Sequence, residues 1–256
     1  MPSPIITSLL DTDLYKFTMW QAMLHRNPQT QGEYAFVCRN QPDYPLTELL
    51  AHLNQELDAL CALRFTPAEL AYVGSLRFMK SDFIDFLRIF QFQRAFVRAT
   101  ADGPHLRIVA QGPQVHVMGF EIFVLSIVNE LYFRRFDADS ALAQGRINLA
   151  TKVAQLQALA SAAALTHPFE LFDFGVRRRY SGAWQREVAQ AFASQAGTWF
   201  KGTSNVLLAR DLDIVPIGTM AHEYLQTYQA VGGRLAWCTA GAMRNGRGRC
   251  IQRWVQ

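Results

Sequence analysis

Between residues 169 and 231 strand-length apolar runs alternate with helical ones: FELFDFG, SGAWQREVAQAFASQ, TWFKG, SNVLLARDL, IVPIG and AHEYLQTYQAV. This rhythm leaves few folds open. Successive strands joined through a helix lie parallel, so the segment predicts βαβ units and a parallel sheet. In such sheets ligands sit beyond the carboxyl ends of the strands. Those ends read FDFGVRRRYS, KGTSN and GTMAHE, each pairing glycine with polar or charged residues. Three loops of that composition on one face predict a binding site.

The region upstream has a different pattern. Thr12 and Asp13 stand where a cap would precede LYKFTMWQAML, whose apolar residues recur at helical spacing. GEYAFVCRN alternates as a strand, with Tyr34, Phe36 and Cys38 on one face. PLTELLAHLNQELDAL and TPAELAYVGSL read as helices, the second with Pro67 in its first turn. RAFVRATADGPHLRIVAQGPQVHVMG reads as short strands broken at Asp102-Gly103 and Gly112-Pro113. Helices are expected over about 121–135 and 147–164. The fold class is α/β: an α+β N-terminal domain over 1–120, parallel βαβ units over 121–235, and a basic tail over 236–256.

Composition narrows the function. The apolar stretch VHVMGFEIFVLSIV is shorter than a bilayer span and contains Glu121, so no membrane segment is expected. The start lacks the basic-then-apolar pattern of a signal peptide. Cys38, Cys61, Cys238 and Cys250 have no CxxC spacing, so reduced thiols in a cytoplasmic protein are expected, with neither zinc site nor disulfide framework. A net charge of +4 suits anionic substrates. No acidic residue follows Glu223, whereas the last 25 residues carry five arginines. A nucleic-acid role would rest on that tail alone and would show steep salt dependence.

Several residues at the strand ends could carry chemistry. Arg177, Arg178 and Arg179 are consecutive, and in an extended segment neighbours alternate sides, so at least one faces the site and one does not. Guanidinium groups bind phosphate or carboxylate bidentately; a solvated basic turn is the competing reading. Phe174 offers a flat face for an aromatic ring, or packs in the core. Thr203 and Ser204 in GTSN either expose backbone N–H groups to an anion or simply cap a helix. His222 is not part of a zinc HExxH motif, because Gln226 stands where a second histidine would be. It is a structural histidine or a catalytic one.

Taken together, SLLDTDLYKFTMWQAML, YAFVCRN, FDFGVRRRYS, FKGTSNV and PIGTMAHE resemble, in order and spacing, the nicotinate phosphoribosyltransferase family, over about residues 5–231. The triple arginine and GTSN favour nicotinate over nicotinamide; a nicotinamide or quinolinate enzyme is the alternative within the class. The resemblance implies a type II phosphoribosyltransferase that joins nicotinate to phosphoribosyl pyrophosphate, with ATP hydrolysis and Mg²⁺, giving nicotinate mononucleotide for NAD synthesis. It implies a homodimer. His222 would be a phosphohistidine, since a neutral imidazole is a competent nucleophile. Tyr15 would contact the pyridine ring from the second subunit, with Phe174 stacked opposite. Arg177 would lie near the substrate carboxyl or phosphates, Arg39 would reach phosphates across the dimer interface, and Ser204, beside Thr203, would lie near the ring. Val176 stands where the family pattern leads one to expect a small polar residue.

A full (β/α)₈ barrel takes around 250 residues, so this chain carries about half of one. The abrupt change of composition after YQAVGGRL is what a frameshift or premature end would produce. Open strand edges would then favour aggregation or association. A fragment that binds ligand or a partner subunit without turnover is the non-catalytic alternative.

Overall fold

The computed structural model describes residues 3–38, 44–161, 167–196, 199–218, 221–230 and 249–255. Its first half pairs helices with an antiparallel hairpin. Helix α1 (Leu14–Arg26) leads to strand β1 (Gln31–Val37), followed by α2 (Leu50–Ala62), α3 (Pro67–Ser75) and α4 (Ser81–Ile89). Thr66 and Glu69 close a reciprocal capping box at the start of α3, satisfying two free N–H groups there. Strands β2 (Val97–Asp102) and β3 (His105–Pro113) form a hairpin, and β3 pairs antiparallel with β1. Along β1, Gly32, Tyr34 and Phe36 turn inward, as alternation predicts; Cys38 is half-buried.

Residues 114–119 depart from the expected run of strands. Gln114–Val117 is a helix, α5, which leads into α6 (Phe120–Phe133). Val115, Val117, Met118 and Phe120 are all buried. Burial on every side makes Val115 and Val117 look like alternation, although the chain is helical. Gln114–Phe133 is long and apolar enough to cross a membrane, but 78% of its most apolar window is buried inside the protein. Glu121 and Glu130 are the acids it carries, and both are bonded internally.

The second half contains the βαβ unit. Helix α7 (Ala138–Ala160) begins earlier than expected because Asp137 caps it, accepting from the N–H groups of Asp139 and Ser140. Strand β4 (Leu171–Asp173), α8 (Gly182–Gln195), β5 (Phe200–Thr203), α9 (Val206–Asp211) and α10 (His222–Ala230) follow. Strands β4 and β5 are parallel, and Ser181 caps α8 as expected. IVPIG does not form a third full strand; it contributes one parallel bridge, Thr203 to Pro216. Gly202 explains how close that bridge runs. Its φ is +145°, and an added Cβ would lie 2.1 Å from the Val215 carbonyl oxygen.

Residues Arg249–Val255 form a strand, β6, parallel to β1. Part of the expected basic tail therefore joins the sheet of the N-terminal region. The main core runs without a break from α1 through α6 to Val176, Val206 and Ala221, crossing the expected boundary at 120. A smaller apolar cluster, Ala196, Trp199 and Phe200, lies beneath α8.

Candidate functional site

The segment before α1 docks against the end of β5. The N–H of Leu14 donates to Ser204 O, that of Val206 to Thr12 O and that of Leu207 to Leu10 O. Strand β5 is thereby extended by an antiparallel bridge between Asp13 and Asn205. Two buried polar groups lock the joint. Arg179 forks onto Asp11, with Nη1 to Oδ1 at 2.6 Å and Nη2 to Oδ2 at 2.7 Å. Asn205 caps α9 with its side-chain oxygen while its Nδ2 donates to Asp11 Oδ1.

Asp173 ties the first strand end to the second. Its Oδ1 accepts from Gly175 N, and its Oδ2 accepts from Thr203 Oγ1 at 2.7 Å and Gln185 Nε2 at 3.0 Å. Helix α6 supports the turn that follows. Ser126 Oγ donates to Val176 O and Asn129 Nδ2 to Arg177 O. Val176 itself is fully buried in the main core, so an apolar residue suits the position where a small polar one was expected.

These constraints bring Asp13, Tyr15, Glu121, Phe174, Arg177, Ala221, His222 and Glu223 around one cavity of about 110 Å³. Pockets for drug-sized ligands span several hundred Å³, so this one suits a single small ring. Four expected site residues, Tyr15, Phe174, Arg177 and His222, meet here within one chain. Tyr15 was expected to enter from a second subunit; its own chain places it on the wall, because α1 starts where the N-terminal segment is pinned to β5. Tyr15 is buried, which pushes its phenol above the ordinary range.

Ser204 and Thr203 stand behind the wall. Both are fully buried; Ser204 Oγ donates to Asp13 Oδ1 and Thr203 Oγ1 to Asp173. Neither is the helix cap, which is Asn205. The three arginines divide, but on a 3₁₀ turn over Val176–Arg178 rather than on the extended segment expected: Arg177 lines the cavity, Arg178 is exposed, and Arg179 is buried on Asp11. Arg39 lies outside the described residues, as do 236–248 and 256 of the basic tail.

The site is more acidic than the sequence suggested. Lys16, 2% exposed, lies behind the cavity and gives all three N–H groups away: to Glu121 Oε2 at 2.5 Å, Glu223 Oε2 at 2.5 Å and Met118 O at 3.2 Å. Glu121 Oε1 accepts from Arg177 Nη1 at 3.1 Å, and Glu223 Oε1 from Tyr34 Oη at 2.5 Å. Burial pushes Asp13 up, against the hydrogen bond of Ser204 and the charge of Arg177. Sequence reading missed Lys16, Asp13 and Glu121 as site residues. The available signal was Glu121, an acid inside the apolar run FEIFVLSIV, which needs a buried cation.

Fold and cavity together define an α/β protein with a small, charged cavity beside the ends of its parallel strands. The model of the nicotinate phosphoribosyltransferase (NAPRTase) N-terminal domain matches residues 10–129, and that of the nicotinate phosphoribosyltransferase (NAPRTase) family matches residues 169–256. The chain belongs to the nicotinate phosphoribosyltransferase family. The second match continues to residue 256, past the last recognisable motif. The nicotinate phosphoribosyltransferase of Herminiimonas arsenicoxydans is 56% identical over 253 residues, 99% of this chain and 62% of that relative. That of Chromobacterium violaceum is 49% identical over 256 residues, again 62% of its length. The chain thus spans about three-fifths of the curated relatives it matches. Among solved structures, nicotinate phosphoribosyltransferase from Vibrio cholerae matches with a TM-score of 0.81 and 34% identity, over 90% of this chain and 54% of that one. The enzyme from Porphyromonas gingivalis gives 0.79 and 32%, over 90% and 57%.

Proposed function

We propose that the cavity is the ring site of a nicotinate phosphoribosyltransferase, taking nicotinate, phosphoribosyl pyrophosphate and ATP toward nicotinate mononucleotide in NAD synthesis. The observation that carries this is the convergence of Tyr15, Phe174, Arg177 and His222 on one small cavity in a chain of this family. The pyridine ring packs between Tyr15 and Phe174, whose faces match it in size and polarity. Its carboxylate meets Arg177, a charge-assisted contact that nicotinamide cannot make. Arg177 is half-buried and already bonded to Glu121, so a ligand carboxylate replaces one anion with another.

His222 stands exposed at the start of α10, at the cavity rim. Its imidazole attacks the γ-phosphorus of ATP; the bond to the β-phosphate oxygen breaks and ADP leaves. Ser204 and Thr203 act at one remove, holding Asp13 and Asp173. Mg²⁺ neutralises phosphate charge in such transfers. Among the described residues no three His, Cys, Asp or Glu are placed to hold a metal, so the ion would arrive on the substrate's phosphate oxygens. A homodimer, with Arg39 reaching across it, completes the reading.

Labelling with γ-phosphate-tagged ATP tests the histidine. The expected result is an acid-labile, base-stable phosphate on the chain that disappears in His222→Ala. Nicotinate binding without any label would instead make the chain a ligand-binding fragment.

A further inference from the structure

Five ionisable groups enclose the buried side of the cavity, and their charges do not balance. Asp13, Glu121 and Glu223 are the acids; Lys16 and Arg177 are the cations. With every acid ionised, the wall would be negative in a place where water cannot screen it. Such a wall would repel an anionic ring.

Geometry supplies a remedy. Glu121 and Glu223 come from different helices, α6 and α10, and each gives its Oε2 to the single ammonium of Lys16. Both oxygens lie 2.5 Å from the same nitrogen, which brings the two buried carboxyl groups within about 5 Å of each other, and two acids sharing one site do not both ionise readily. We propose that Glu121 and Glu223 hold one proton in common at neutral pH, and that this proton keeps the cavity receptive to an anion at Arg177. The second part rests on the nicotinate reading above; the first does not.

Each remaining oxygen has a partner that fits one shared proton. Glu223 Oε1 accepts from Tyr34 Oη, which in turn accepts from Gln114 Nε2, so the phenol's only proton goes to Glu223. Glu121 Oε1 accepts from Arg177. The groups facing the pair are Lys16, Tyr34, Arg177, Asp13 and Tyr15, with His222 at the rim. Environment separates the two acids as a shared proton demands. Burial lifts Glu223, and Glu121 adds to this, against the pull of Lys16. Burial also lifts Glu121, but Lys16 and Arg177 outweigh it and hold it below the carboxylate range. The proton therefore resides mainly on Glu223. A ligand carboxylate arriving at Arg177 meets a cluster of zero net charge, where loss of the proton would leave one excess negative charge beside it.

Infrared spectroscopy with carbon-labelled glutamate tests the proton directly in the unliganded chain. The expected result at neutral pH is a protonated glutamic acid band that is absent from the near-isosteric Glu223→Gln. A companion calorimetric titration with nicotinate reads the consequence. Wild-type affinity should fall about tenfold per pH unit once the pair ionises, because binding needs one proton bound; in Glu223→Gln it should stay flat over the same range. Absence of the glutamic acid band, or an alkaline loss of affinity that Glu223→Gln retains, would overturn the inference. A band with no nicotinate binding at any pH would uphold the shared proton and refute the nicotinate reading.

Discussion

Arg179→Ala is expected to destabilise the chain by about 3–5 kcal/mol, the usual cost of stripping one partner from a buried ion pair. The arginine and Asp11 are 2% and 8% exposed, and the fork between them fixes the N-terminal segment to the βαβ unit. Removing the guanidinium leaves the Asp11 carboxylate facing only Asn205. Arg179→Lys keeps the charge but loses the two-pronged geometry, so it should recover only part of the loss. Exchanging both residues for apolar ones of similar size should recover more. Urea unfolding followed by tryptophan fluorescence reads all three. Equal stability of Arg179→Ala and wild type would mean that the segment is not pinned as described.

The second large effect is expected from Lys16→Met. Among the described residues the Lys16 ammonium is the cation bonded to both Glu121 and Glu223, and its loss leaves Glu121 with Arg177 and Glu223 with the Tyr34 hydroxyl. A loss of about 3–5 kcal/mol is again expected near neutral pH. Its pH dependence separates it from a simple packing defect. Burial raises the Glu121 pKa, and Lys16 is the strongest of the opposing influences. Without Lys16 the folded-state value rises above the unfolded value of about 4.3. The folded chain then binds protons that the unfolded chain releases, so the variant loses stability as pH rises through that window. The deficit relative to wild type should be smallest in acid and largest at neutral pH and above. Thermal melts across pH 4–8 check this, and a deficit independent of pH would contradict it.

Much of this site could be read in the sequence, for identifiable reasons. FDFG, KGTSN and PIGTMAHE announce themselves by breaking apolar runs with glycine and polar residues; the first two cover the ends of β4 and β5, and Ala221, His222 and Glu223 of the third line the same cavity. The split among Arg177, Arg178 and Arg179 was expected from alternation, yet a 3₁₀ turn over Val176–Arg178 produces it, sending Arg177 to Glu121 and Arg179 to Asp11. IVPIG misled because Pro216 and the close passage over Gly202 allow a single bridge where composition suggested a strand. VHVMG misled because complete burial erases the contrast that distinguishes a strand from a helix. The charged wall was the least legible part. Lys16, Glu121 and Glu223 are separated by 105 and 102 positions, and nothing local in the sequence marks one as the partner of another. Only the tertiary fold, which brings residues of α1, α6 and α10 to the Lys16 ammonium, puts them together.

Calorimetric titration of the purified chain with nicotinate and with nicotinamide, for wild type and Arg177→Met, is the most direct test of the cavity's assignment. The structure predicts saturable nicotinate binding that weakens about tenfold to a hundredfold in Arg177→Met, the loss of one charge-assisted contact of about 1.5–3 kcal/mol. Nicotinamide should bind more weakly to wild type and be little affected by the substitution. Equal affinity for both ligands, or nicotinate binding unchanged in Arg177→Met, would contradict the placement of an anionic ring against Arg177.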